Sequence, residues 1–237
     1  MKKRKRTIRY IILGSLLLLV WLTQMLPFMG EIYARTIYPV ISYCLSFFSR
    51  WIPFALGDLF IFLSIIGVIA YPFYARLHKK LRWKKILLND GEYLLWIYVW
   101  FYLSWGLNYF QKNFYQRTEI PYTEYNKENF QTFVNEYIDL LNHSYTPVTS
   151  INEKLVREES IRLYHQLSDS LGVHRPPHNY LKAKTMLFTP FISMVGVTGS
   201  MGPFFCEFTL NGDLLPVNYP ATYAHELAHL LGITSEA

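Results

Sequence analysis

Apolar positions change their pattern near residue 110: before it they form long unbroken runs, and after it they recur at helical or alternating spacing. The first run, Tyr10 to Gly30, has no charged residue and centres on "IILGSLLLLVWL". About 20 apolar residues suffice for a helix to cross a bilayer core. No small-x-small cleavage site follows, so the run reads as an uncleaved anchor and not a removed signal peptide. A second run, Trp51 to Ala75, contains one acid, Asp58. An acid inside a membrane is functional by default, but near the start of a segment it reads as a solvated or helix-capping carboxylate. The third run, "YLLWIYVWFYLSWGLNYF" from Tyr93 to Phe110, is rich in Trp and Tyr, which favour membrane–water boundaries. The pattern thus predicts three spans, at about 10–30, 51–75 and 93–110.

From residue 111 onward the pattern predicts a mixed α+β domain. Phe130, Phe133, Val134, Tyr137, Ile138 and Leu141 follow helical spacing. A second helix opens with a capping box from Ser150 to Glu153 and stops at Gly172. His174 and His178 are four apart, but Pro176 and Pro177 between them exclude a helical metal pair. "KAKTMLF", "FISMVGVTG" and "GPFFCEFTLNGDLLP" read as strands and turns, with Asn211-Gly212-Asp213 as a turn. Glu207 falls on one of these strands, either exposed to solvent or touching substrate.

Composition supports the division. Hydrophobic residues make up 51% and aromatic residues 18% of the chain, against 17% charged, a balance too apolar for an ordinary soluble domain. The net charge of +6 splits into +10 over residues 1–110 and −4 over residues 111–237. The basic excess flanks apolar runs, where its role is membrane orientation and not nucleic-acid binding. The N-terminal tail and the 76–92 loop carry most of it, so both are expected in the cytoplasm. The 31–50 segment and everything after residue 110 are then extracytoplasmic. The 31–50 segment is expected to lie along the outer interface or pack on the outer domain. Cys44 and Cys206 lack metal-site spacing, and a lone pair is a poor disulfide framework.

The chemistry concentrates at the end, in "ATYAHELAHLLGITSEA". His225 and His229 are at i and i+4 on a helix that begins near Asn218-Tyr219-Pro220 and stops at Gly232. That spacing aims both imidazoles at one tetrahedral zinc. Glu226 is turned away from the metal yet within reach of its bound water, as a general base must be. Chance alone gives H-E-x-x-H roughly once in a hundred such chains. The third ligand separates subclasses. Ser235 stands where the H-E-x-x-H-x-x-G-x-x-H pattern requires histidine, so that pattern fails. A His₂Glu site takes an acid further on, which makes Glu236, or an acid just past Ala237, the candidate. The sequence reads as truncated at its C-terminus, with the zincin-like domain incomplete.

"HELAHLLGITSEA" after three N-terminal spans resembles an uncharacterised bacterial family of membrane-anchored, zincin-like proteins classed as a domain of unknown function. The likeness is sharpest from about "GPFFCEFTLN" to the end. The resemblance implies a peptidase-like fold, His225 and His229 as zinc ligands, and Glu226 as catalytic base. It also implies that the stretch opening at Glu236-Ala237 supplies the third ligand. The expected function is a membrane-anchored, extracytoplasmic zinc metallohydrolase acting on a peptide or protein. The alternative is a non-enzymatic membrane protein whose outer domain binds a partner, with the motif a relic or structural.

Overall fold

The computed structural model describes residues 2–118, 120–179 and 181–236. The chain is mostly helical with one small sheet. Its first part holds α1 (Lys2–Met25), α2 (Pro27–Ile32), α3 (Tyr38–Ser49), α4 (Leu56–Leu77) and α5 (Trp83–Ser104). Among the described residues, two helices are long and apolar enough to cross a membrane: α1, over Arg4–Met25, and α4.

The expected third span is corrected. Helix α5 starts well before the uncharged run, at Trp83, and takes in Lys84, Lys85, Asp90 and Glu92. After Ser104 the backbone breaks at Trp105 (φ −156°, ψ −39°) into a 3-10 turn over Gly106–Phe110. The helical part of the run, residues 93–104, is about 18 Å long. Helix α5 as a whole has 22 residues and is about 33 Å long, comparable to a hydrocarbon core of about 30 Å, but its first half carries those four charges and so it is not among the apolar helices. Helix α5 nevertheless packs beside both apolar helices. Arg9 of α1 pairs with Glu92, 2.9 Å apart. Ser64 meets Tyr93 at 2.9 Å and Tyr71 meets Asn89 at 2.5 Å, so α4 and α5 run antiparallel.

The 31–50 segment is helical, with a π-turn at Tyr33–Ile37 joining α2 to α3. One face packs inward: Tyr38 is fully buried and Tyr33 nearly so. Their hydroxyls donate to Leu230 O (2.7 Å) and Leu103 O (2.9 Å). Ile37, Val40, Tyr43 and Phe48 face outward.

The second part holds α6 (Phe114–Thr118), α7 (Lys127–His143), α8 (Glu153–Leu171), β1 (Lys184–Thr185), α9 (Thr189–Met194), β2 (Gly199–Gly202), β3 (Glu207–Leu210) and α10 (Tyr219–Leu230). The α7 periodicity gives a helix capped by Asn126, whose side chain accepts from Glu128 N and Asn129 N. Its apolar stripe, however, lies exposed, and no α7 residue is buried. Helix α8 is capped by Asn152, which accepts from Leu155 N, and not by Ser150. It stops at the left-handed Gly172 as expected. The sheet order is β1-β3-β2, with β1 parallel and β2 antiparallel to β3. Part of "FISMVGVTG" is helical, not a strand: Pro190 sits in the first turn of α9, where its fixed φ suits a helix.

The core joins both parts of the chain. Val20, Tyr33, Tyr38, Trp105 and Leu107 pack in one cluster with Phe208, Tyr223, Leu227 and Leu230. A buried ion pair lies under the sheet. The Lys184 ammonium bonds Glu207 and donates to Ser49 O, the last residue of α3, at 2.9 Å. Glu207 also accepts from Gly57 N, in the first turn of α4, at 2.6 Å. The anion thus meets a helix N-terminus and the cation a helix C-terminus, the favourable orientation for each. Glu207 is therefore neither exposed nor free for substrate. Cys44 and Cys206 are both free thiols.

Candidate metal centre

Helix α10 is fixed from several sides before any ligand is considered. A 3-10 turn over Pro216–Asn218 leads into it, and Pro220 occupies its first turn. Tyr164 of α8 donates to Ala224 O (3.0 Å), Trp105 Nε1 to His229 O (2.9 Å) and Tyr38 to Leu230 O. The Tyr223 hydroxyl donates to Leu181 O. At the end, Ile233 N bonds Ala228 O (3.1 Å) and Gly232 takes φ +88°, closing a left-handed cap. A Cβ on Gly232 would also lie 3.2 Å from Asn108 Oδ1 and 3.3 Å from Tyr38. That cap turns the chain back, so that Glu236 returns over the helix it has just left.

The three sequence-derived ligand candidates come together. His225 Nε2 and His229 Nε2 are 3.0 Å apart. Glu236 lies 3.1 Å from the first and 3.4 Å from the second. The first distance is to Glu236 Oε2 and the second to Oε1; one ligand atom from each of the three residues lies within 4.8 Å of the others, near the separation of about 3.3 Å between ligands on a tetrahedral zinc. His229 Nδ1 lies 2.7 Å from Ile233 O. A carbonyl can only accept, so the proton sits on Nδ1 and the Nε2 lone pair faces the other two donors. His225 and Glu236 are exposed while His229 is buried, leaving one side of the triangle open.

Glu226 occupies the neighbouring position in a different state. It is buried, and its Oε2 has no hydrogen-bond partner among the described residues. Burial pushes its carboxyl up to about 7; nearby His229 opposes that rise and Glu236 adds to it. The opposite wall is β2. A Cβ on Gly199 would fall 2.5 Å from Glu226 Oε1, so only glycine lets the carboxylate lie flat against that strand. Gly199, Ser200 and Met201 line, with His225, Glu226, His229 and Glu236, a cavity of about 490 Å³. Phe101, Trp105 and Tyr109 close its other side.

Other polar candidates go elsewhere. His174 packs edge-on against Tyr38, 5.3 Å between ring centres. His178 is buried with its Nε2 3.2 Å from Tyr43 O. The two form no metal pair. The Asp58 carboxylate accepts from Leu187 N at 2.9 Å; it ties the loop before α9 to α4 and does not cap α4. Sequence reasoning did not identify Gly199, Trp105, or the Ile233 carbonyl. Each acts through a neighbour distant in sequence or through its backbone, and a single sequence shows neither.

No curated protein and no solved structure matches the chain. One family model, described as "Protein of unknown function (DUF3810)", matches residues 33–237, a reach that includes α3 to α5, the sheet and all three candidate ligands. The chain belongs to that DUF3810 family.

Proposed function

We propose that the protein is a membrane-anchored, zinc-dependent metallohydrolase of zincin type, most simply a peptidase, working outside the cytoplasm. One observation carries this reading. One ligand atom each from His225, His229 and Glu236 lies within 4.8 Å of the others, beside a buried carboxylate oxygen of Glu226 with no hydrogen-bond partner among the described residues. A structural pair of surface histidines has no need for the second feature.

A zinc ion held by these three residues would acidify a bound water and polarise a substrate carbonyl. The chain supplies the rest. Glu226 accepts the water's proton at Oε2 and returns it to the leaving amine. Without a metal, burial favours its neutral form; the charge of a bound cation would oppose that and favour the carboxylate that a base must be. The Ile233 carbonyl keeps the His229 tautomer fixed. Strand β2 is an edge strand of the sheet and lines the cavity, so an extended peptide laid beside it would have its backbone held near the ligands.

Anchoring is supported by the two apolar helices and by the basic residues of the N-terminal tail and of positions 79–85, where α4 passes into α5. By the positive-inside rule these stay in the cytoplasm, and α5, running back along α4, returns the chain to the outer side. The test is metal content. Purified full-length protein is expected to carry about one zinc per chain, and His225→Ala to lose it. Glu226→Gln should keep the zinc and abolish hydrolysis. Wild-type protein that binds no stoichiometric metal overturns the enzyme reading, and a cellular role that survives Glu226→Gln favours a binding function.

A further inference from the structure

Between Lys184 and Glu207 the chain has no Asp, Glu, Lys, Arg or His. This uncharged reach does not form a span. It folds into α9, the turn after it, β2 and the β2–β3 turn. Two parts of it lean on the apolar helices. Phe204 stacks near Phe60 of α4 (4.8 Å between ring centres) and near Phe101 of α5 (6.2 Å). Its carbonyl accepts from Trp100 Nε1 at 3.1 Å. Phe188, next to α9, stacks on Phe62 of α4 at 5.2 Å.

These contacts fix a depth. Phe60 and Phe62 lie four and six residues inside the outer end of α4, and Trp100 four residues inside the end of α5. At 1.5 Å per residue that is about 6–9 Å down each helix. Interfacial elements bury their apolar faces about 5–10 Å into the headgroup and acyl boundary. Three to seven residues past Phe188, α9 and its turn present Phe191, Met194 and Val195, which are 70%, 83% and 72% exposed. Such a cluster on a soluble surface is a marked liability. Directly after it come Gly196 and Val197, which line the cavity.

We infer that the α9 turn, with Phe191, Met194 and Val195 at its tip, inserts into the outer leaflet of the bilayer, so that the cleft opens at the membrane surface. The partner is lipid acyl chain and not a second protein, because Phe191, Met194 and Val195 carry no charge and adjoin the apolar surface of α4 through Phe188, while Ser193 between them turns back to Asn211 and the Asp213 carboxylate. The substrate class that fits is a chain tethered to the same membrane. The inference rests on the anchored reading above but not on metal or hydrolysis.

Depth-dependent quenching in proteoliposomes tests it. Full-length protein in a Cys44→Ser background, with the buried Cys206 left in place, receives one cysteine at Met194, or at Val195 if Met194→Cys fails to fold. A polarity-sensitive fluorophore is attached. Ile69→Cys, in the middle of α4, and Tyr145→Cys, on the exposed linker after α7, are the references. Lipids brominated near the headgroup should quench position 194, lipids brominated deep in the acyl chain should quench position 69, and neither should quench position 145. If 69 is quenched and 194 behaves like 145, the inference fails and the span survives. A blue-shifted label at 194 that no brominated lipid quenches indicates a protein cover and overturns it. Failure to quench position 69 overturns the anchoring and the inference together.

Discussion

Lys184 and Glu207 form a buried ion pair that joins β1 to β3 and, through Ser49 and Gly57, ties the sheet to the facing ends of α3 and α4. The pair is thus the polar joint between the apolar helices and the domain that bears the ligand triangle. Removing one member of a buried pair costs about 3–5 kcal/mol, since the other charge is left behind. Glu207→Ala is expected to destabilise the protein by that order. Lys184→Met combined with Glu207→Leu should recover most of the loss. Denaturant unfolding in detergent, arranged as a double-mutant cycle, measures it; two additive losses would show that the pair does not act as a unit.

Gly199 and Glu226 touch across the cleft, and a methyl group would intrude at 2.5 Å. Gly199→Ala should cost about 1–3 kcal/mol, as overpacking usually does. In a Glu226→Ala background the same substitution should cost almost nothing. The measured coupling between the two sites reports their contact without any substrate.

Much of this was legible in the sequence. Unbroken runs gave α1 and α4, and period gave α7, α8 and α10. Pro220 and Gly232 bounded the motif helix, and Glu236 was named from ligand order. The rest depends on contacts distant in sequence. The third run does not match its helix because α5 begins earlier, among charges, and ends at Trp105, and tertiary packing set both limits. Short apolar pieces with Gly and Pro concealed α9. Nothing local distinguishes Glu207, which is buried and paired, from an exposed strand residue.

Gly232 sets the return of the chain toward the histidines. Its φ of +88° strains any other residue, at a cost of about 1–3 kcal/mol. Gly232→Ala should lower stability and also displace Glu236. We expect zinc affinity to fall about ten-fold or more, the usual loss when a ligand's support is disturbed. Competition with a chromogenic chelator measures it; unchanged affinity would remove Glu236 from the ligand set.

His174 makes stability depend on pH. Burial lowers its pKa from 6.5 to about 4. The unfolded chain then binds the proton more readily than the folded one between those values. Stability is complete above pH 6.5 and falls as the pH drops toward 4, by at most about 3 kcal/mol. His174→Phe should flatten that part of the profile in melting scans from pH 7 to pH 4. A slope identical to wild type would place the acid sensitivity elsewhere.

The grip of Trp105 on His229 O and of Tyr38 on Leu230 O has a practical side. Both donors precede residue 111, so a piece cut after Phe110 would take the Tyr38 donor from Leu230 O, leave His229 O with only Gly232 N, strip the wall of Phe101, Trp105 and Tyr109 from the cavity, and expose the core faces of Tyr223, Leu227 and Leu230. The half that carries His225, His229 and Glu236 is not a detachable head on a stalk. Its purification, like its assembly, has to carry the membrane helices along.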